Sequence, residues 1–237
     1  FTENCYPQVI TAGSRPIPAI ATFHPQDAYD FKLDIEDEHF KSQDDFKDFT
    51  VTAPSNWMFW IKVACAKLIT EGPRPPIGFT PRLFPPLREA CDALDAAKDC
   101  NLYLDIETRR ADQGLNCVGF AVDDGPVYVV PIYRYNDQVA YEDIHLFYRA
   151  LARAFVRNTL VLHNAGFDLV VLSALYRMGF GQRIYDTLVA QHRCYPEAEK
   201  SLAHAMALWT WQPFHKDQGG YPHNRDQENR YWLYNAR

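Results

Sequence analysis

Two acids two residues apart, Asp105 and Glu107, stand in the run Leu102-Tyr103-Leu104-Asp105-Ile106-Glu107-Thr108. Apolar residues lead into the run and Ile106 is β-branched, so it reads as a β-strand that ends at Thr108-Arg109-Arg110. Side chains alternate along a strand, which puts both carboxylates on one face. Like charges at that spacing repel. A cation between them relieves the repulsion, and hard carboxylate oxygens select Mg²⁺ or Mn²⁺. The bland alternative is an edge strand with two solvated acids. A third acid, Asp168, closes the stretch His163-Asn164-Ala165-Gly166-Phe167-Asp168, directly after the apolar residues 159–162. Those four residues read as a strand buried inside a sheet. Asn164 suits the N-cap of a helix running to about Met178, and Asp168 falls in the first turn, where a carboxylate suits the helix dipole. That alone accounts for the segment structurally. A helix leaving a central strand also carries Asp168 toward the Asp105/Glu107 face, and a third carboxylate there calls for a metal.

The elements that must position these acids read as α/β. Residues 87–98 have helical spacing, with Leu87, Ala90, Cys91, Leu94 and Ala97 on one face. After the acidic strand come strands over 115–122 and 127–132, joined by Asp123-Asp124-Gly125-Pro126, a hairpin turn signal. A helix over 141–156 (Ile144, Phe147, Leu151 and Phe155 apolar), the 159–162 strand and further helices follow. Three strands, then helix, strand and helix, indicate a mixed sheet whose first three strands are antiparallel.

Ahead of this lies a segment of different character. Val9-Ile10-Thr11 and residues 19–23 read as short strands separated by Gly13, Ser14 and Pro16. An acidic stretch from Asp27 to Asp48 reads as a solvated loop, and residues 57–70 as a helix stopped by Gly72-Pro73. The run 73–86 is Pro-rich, extended and semi-rigid, and is the best domain boundary: a 1–72 segment, a 73–86 linker, and an 87–237 domain.

The 237 residues are 47% hydrophobic, enough for a sizeable core and against wholesale disorder. A net charge of -6 argues against the broad basic footprint that grips duplex DNA, though bound metal ions can supply positive charge locally. The six cysteines form no Cys-x-x-Cys pair, which fits a reducing cytoplasm better than a zinc site or disulfide framework. The longest apolar run is too short to span a membrane, and no signal peptide is visible. The first residue is Phe rather than Met, in keeping with a fragment of a longer chain.

Asp-Ile-Glu-Thr at 105–108 followed by Asn-x-x-Phe-Asp at 164–168 resembles the first two motifs of the DEDD 3′–5′ exonucleases. Tyr185-Asp186-Thr187-Leu188, Lys200-Ser201-Leu202 and Ala207-Leu208-Trp209-Thr210 look like the segment that follows in proofreading domains of A-family DNA polymerases, the phage type especially. The third motif of the tyrosine subclass is Tyr-x-x-x-Asp. Tyr234 stands so that its Asp would come just beyond Arg237. The other subclass uses His-x-x-x-x-Asp, and His223 has Glu228 at that spacing, a weaker fit. The resemblance covers about residues 100–237 and implies a ribonuclease H-like mixed sheet flanked by helices. It further implies two Mg²⁺ or Mn²⁺ ions held by Asp105, Glu107 and Asp168, and a water oriented by Tyr234. Thr108, Asn164 and Phe167 would contact the terminal nucleotide and Lys200 a phosphate. The partners implied are a single-stranded DNA 3′ end and a polymerase domain C-terminal to it, in a host cytoplasm if the source is a phage. RNase D-type RNA exonucleases share the motifs, and a non-catalytic module that cradles a 3′ end is a further alternative. Separately, His24-Pro25 at the end of a strand-like stretch, with an aromatic-rich helix after it, resembles the C-terminal part of uracil-DNA glycosylases. That family's N-terminal half has no counterpart, so no glycosylase activity is expected.

Overall fold

The computed structural model describes residues 81–109, 112–196, 198–210 and 224–236, and the backbone of 7–12 and 15–20. The expected 57–70 helix, the acidic stretch and His24-Pro25 lie outside the described residues. The chain divides into two units: Phe1–Ile77 with Ser201–Phe214, and Gly78–Lys200 with His215–Arg237.

In the first unit, β1 (Pro7–Ala12) and β2 (Arg15–Ile20) form an antiparallel hairpin with Ala12 paired to Arg15. Six strands of the second unit make one sheet. They are β3 (Pro81–Leu83), β4 (Asn101–Thr108), β5 (Leu115–Val122), β6 (Val127–Pro131), β7 (Thr159–Leu162) and β8 (Ile184–Asp186), in the order β3-β6-β5-β4-β7-β8. β4, β5 and β6 pair antiparallel, while β7 and β8 add in parallel beside β4. The sheet is mixed, three antiparallel strands and then parallel ones, flanked by helices. β3, inside the run read as a connector, pairs in parallel with β6; its first residue is Pro81, an edge position that tolerates a residue without an N–H.

Pairing on both sides makes β4 central, so its acids are not on an edge strand. One face of β4 presents Leu102, Leu104 and Ile106, all buried, and β5 adds Val118 and Phe120. Helices α1 (Leu87–Ala96) and α2 (Ile144–Arg157) cover that face with Ala90, Leu94, Phe147, Leu151 and Phe155. α2 starts at Ile144 rather than at Tyr141, whose ring stacks on Phe84 and whose hydroxyl donates to the Pro85 carbonyl at 2.6 Å. Asn158 ties the layers together. Its Oδ1 accepts from the Cys100 N–H at 3.0 Å, and its Nδ2 donates to the carbonyls of Ala97 and Ala154 at 3.2 and 2.9 Å. Asn158 is wholly buried, so Asn158→Ala orphans the Cys100 N–H and the Ala97 carbonyl, while Ala154 keeps the backbone N–H of residue 158; a stability loss of about 2 kcal/mol is expected from urea unfolding.

Three further helices follow: α3 (Ala165–Tyr176) and α4 (Thr187–Cys194) in the second unit, and α5 (Leu202–Trp209) in the first. The last helix, α6 (Arg225–Tyr234), packs on the other face of the sheet, where Tyr231 and Trp232 meet Cys117, Val129, Leu83 and Val127. No described helix is long and apolar enough to cross a membrane.

Candidate active site at the end of the central strand

α6 covers only the β3-β6-β5 half of its face, and β4 is left open there with Tyr103 and Asp105 exposed and Glu107 half-buried. Asp105 lies opposite Gly119 of β5 and Glu107 opposite Cys117. A Cβ on Gly119 would stand 3.0 Å from the Asn235 carbonyl oxygen, so the glycine lets the end of α6 approach the strand beside the acids. Cys117 is buried beneath them. Burial first, and then the charges of Glu107 and Asp105, push its thiol well up, so it stays protonated.

α6 is held from two directions. Arg134 donates from Nε and Nη2 to the two carboxylate oxygens of Glu228, both at 2.7 Å, and the Tyr135 N–H adds a bond at 3.3 Å. Asn116 Nδ2 donates to the Tyr231 hydroxyl at 3.2 Å. Glu228, which had the spacing of an alternative site carboxylate, is therefore committed to Arg134 and buried; His223 lies outside the described residues. Anchored this way, α6 brings Tyr234 to the acids. Burial, then the charges of Glu107 and Asp105, hold its hydroxyl above the usual tyrosine range.

Asp168 arrives from the other side. β7 pairs with β4 only as far as Tyr103–Val161, which leaves the next backbone groups of β4 without a ladder partner on that edge. Asp168 Oδ1 accepts from the Ile106 N–H at 3.1 Å and takes the missing partner's place. Asp168 is 3% exposed. Burial, then the charge of Asp105, drives its pKa up to about 7, with Asp186 adding to the rise and the Ile106 bond opposing it. The location is a topological switch point: β5 and β7 flank β4 on opposite sides.

Asn164 departs from expectation. It stands at the N-cap of α3 but in the left-handed conformation (φ 63°, ψ 51°), and its side chain makes no capping bond. A positive φ turns the side chain away from the helix N–H groups, and Asp186 accepts from them instead: from Asn164 N at 3.0 Å and Ala165 N at 2.9 Å. Asn164 and Phe167 are exposed, the latter by 45%. The register shifts between Glu107 and Thr108: Glu107 pairs with Cys117 and Thr108 with Leu115, leaving Asn116 of β5 as the extra residue of a bulge. Lys200 Nζ donates to the Pro196 carbonyl, and the Lys200 carbonyl accepts from His163 Nε2 at 2.9 Å. Asp186 and the Arg134–Glu228 pair are the contributors that sequence reasoning missed. An Asp ahead of Thr187 is a cap signal for α4, but nothing local marks its second duty.

The donor set suits a hard divalent cation. It is made of carboxylate oxygens, one of them buried against another acid with a strongly raised pKa. Among the described residues, however, no three His, Cys, Asp or Glu side chains are drawn close enough to hold a metal ion. Asp168 meets the charge of Asp105 while giving one oxygen to the Ile106 N–H.

No protein-family model matches the sequence, and no curated protein matches it. Similar solved structures include Escherichia coli RNase D, an exoribonuclease involved in structured RNA processing, at 17% identity and TM-score 0.48 over 68% of this chain and 41% of that one. Brucella melitensis NrnC bound to pGG is similar at 18% identity and TM-score 0.44, over 66% and 74% of the two chains. The EXO domain of Aedes aegypti Nibbler is similar at 13% identity and TM-score 0.41, over 62% and 75%. The chain spans about two fifths of the RNase D chain.

Proposed function

We propose that this protein is a metal-dependent 3′–5′ exonuclease acting on DNA ends, the proofreading part of an A-family, phage-type DNA polymerase. One observation carries the reading: Asp105 and Glu107 share the open face of the central strand, and two helices bring Asp168 and Tyr234 to them. The catalytic domain is assigned to 87–237, with 73–86 as linker and 1–72 as an accessory segment. Asp105, Glu107 and Asp168 would hold Mg²⁺ or Mn²⁺, which supplies a nucleophilic hydroxide near neutral pH and neutralises charge on the leaving 3′ oxygen. Tyr234, its hydroxyl kept protonated, orients the attacking water. The exposed Phe167 ring offers a stacking platform for the terminal base, with Thr108 and Asn164 beside the nucleotide. Lys200 reaches a phosphate by giving up its bond to the Pro196 carbonyl.

The second reading is a module that cradles a 3′ end without cutting it. What favours it is that Asp168 gives one of its two oxygens to the Ile106 N–H. Single-stranded DNA carrying a 5′ label, incubated with Mn²⁺, separates the two. A ladder shortening stepwise from the 3′ end, stopped by EDTA, is the expected result. Binding without shortening overturns the enzyme reading in favour of the module. Faster loss from an RNA strand of the same sequence overturns the DNA assignment.

A further inference from the structure

The candidate site depends on where α3 begins, and the start of α3 has no cap of its own. Asn164, at the helix entrance, is left-handed and offers no side-chain bond to the first turn. The N–H groups of residues 164 and 165 point instead at Asp186, the last residue of β8. The same carboxylate caps α4 by accepting from Leu188 N at 2.9 Å. Oδ1 therefore serves Asn164 and Leu188, and Oδ2 serves Ala165, so one side chain binds two helix N-termini into a fixed angle. The next residue repeats the grip: Thr187 Oγ1 donates to the Leu162 carbonyl at 3.1 Å and lies 2.9 Å from His163 Nδ1.

We propose that Asp186 is a positioning residue of the candidate site, setting the β7–α3 turn and with it the placement of Asp168 against Ile106. Asp168 lies one helical turn after the strapped residues, so a rotation of that turn swings its carboxyl off β4. Phe167 rides on the same turn. Both Asp186 oxygens are engaged by backbone donors. The assignment rests on the metal-site reading above.

Asp186→Asn is the incisive variant. Its carbonyl oxygen still serves Asn164 and Leu188, while the amide NH₂ that replaces Oδ2 cannot accept from Ala165. Three measurements are made on the full chain: backbone amide exchange without metal, Mn²⁺ binding followed by the electron paramagnetic resonance signal of free Mn²⁺, and steady-state kinetics. In D186N the Ala165 amide is expected to exchange at least about 10-fold faster while Leu188 stays protected. Mn²⁺ affinity falls about 10- to 100-fold, and excess Mn²⁺ restores most of kcat. Asp186→Ser, which reaches Leu188 but not residues 164 and 165, gives the same Mn²⁺ loss and serves if D186N does not fold. Variants that bind Mn²⁺ as tightly as the wild type overturn the assignment alone. Wild-type protein that binds no Mn²⁺ overturns the site reading, and this assignment with it.

Discussion

Asp168→Asn is expected to lower 3′-end hydrolysis by about 10³-fold while making the metal-free protein more stable at pH 8. The loss follows from removing a carboxylate that would hold the ion. The gain follows from burial. The Asp168 carboxyl titrates near 7 in the folded protein, driven there first by burial and then by Asp105, against an ordinary value of 3.8. Between those two values the folded state holds a proton that the unfolded chain has released. The stability this proton carries is fully present below pH 3.8 and is lost as pH rises through 7, by about 4 kcal/mol at most. Asparagine keeps an oxygen for the Ile106 N–H and has no charge to bury. Thermal unfolding of the two proteins without metal should therefore coincide near pH 4 and separate by several degrees at pH 8, with the variant higher. Adding Mn²⁺ at pH 8 should raise the wild type and leave the variant in place, because only a ligand bound to the folded state stabilises it. Equal melting curves at pH 8 would mean that the carboxyl is not held protonated, and a stabilised variant with full activity would remove Asp168 from the site.

The same burial that makes Asp168 informative was not readable from its neighbours in sequence. The alternation in 102–108 was enough to place Asp105 and Glu107 on one face, because a two-residue period is local. The antiparallel strands 115–122 and 127–131 were legible for the same reason, with an Asp-Asp-Gly-Pro turn between them. β8 was not: it is three residues long, with Ile184 and Tyr185 exposed, and carries no periodic signal. β3 was hidden inside a proline-rich run, where only an edge pairing tolerates Pro81. Asn164 has the residue type of a helix cap, yet its backbone goes left-handed because an acceptor 22 residues away does the capping. The anchor of α6 joins residues 94 apart, and nothing near Glu228 distinguishes an acid aimed at an arginine from one aimed at a metal.

That anchor carries the second large effect. Glu228→Ala is expected to cost about 3–4 kcal/mol and to reduce catalysis through Tyr234. Glu228 is 2% exposed and accepts both arms of the Arg134 guanidinium, so its removal strands a half-buried cation whose other contact is the face of Phe84 at 4.7 Å. α6 then retains Tyr231 on Asn116 and the packing of Trp232, but it loses the fixed point one turn before them. Tyr234, six residues further on, is displaced from Glu107 and Asp105. A double replacement separates the charge from the anchor. Arg134→Met with Glu228→Met leaves no unpaired ion and fills similar volume, so stability should return to within about 1 kcal/mol of the wild type. If α6 only needs to be docked, hydrolysis returns with it. If stability returns and hydrolysis does not, the bidentate pair itself sets the angle at which α6 presents Tyr234. If Glu228→Ala unfolds at the wild-type urea midpoint, the pair holds nothing, and Tyr231 and Trp232 alone keep α6 on the sheet.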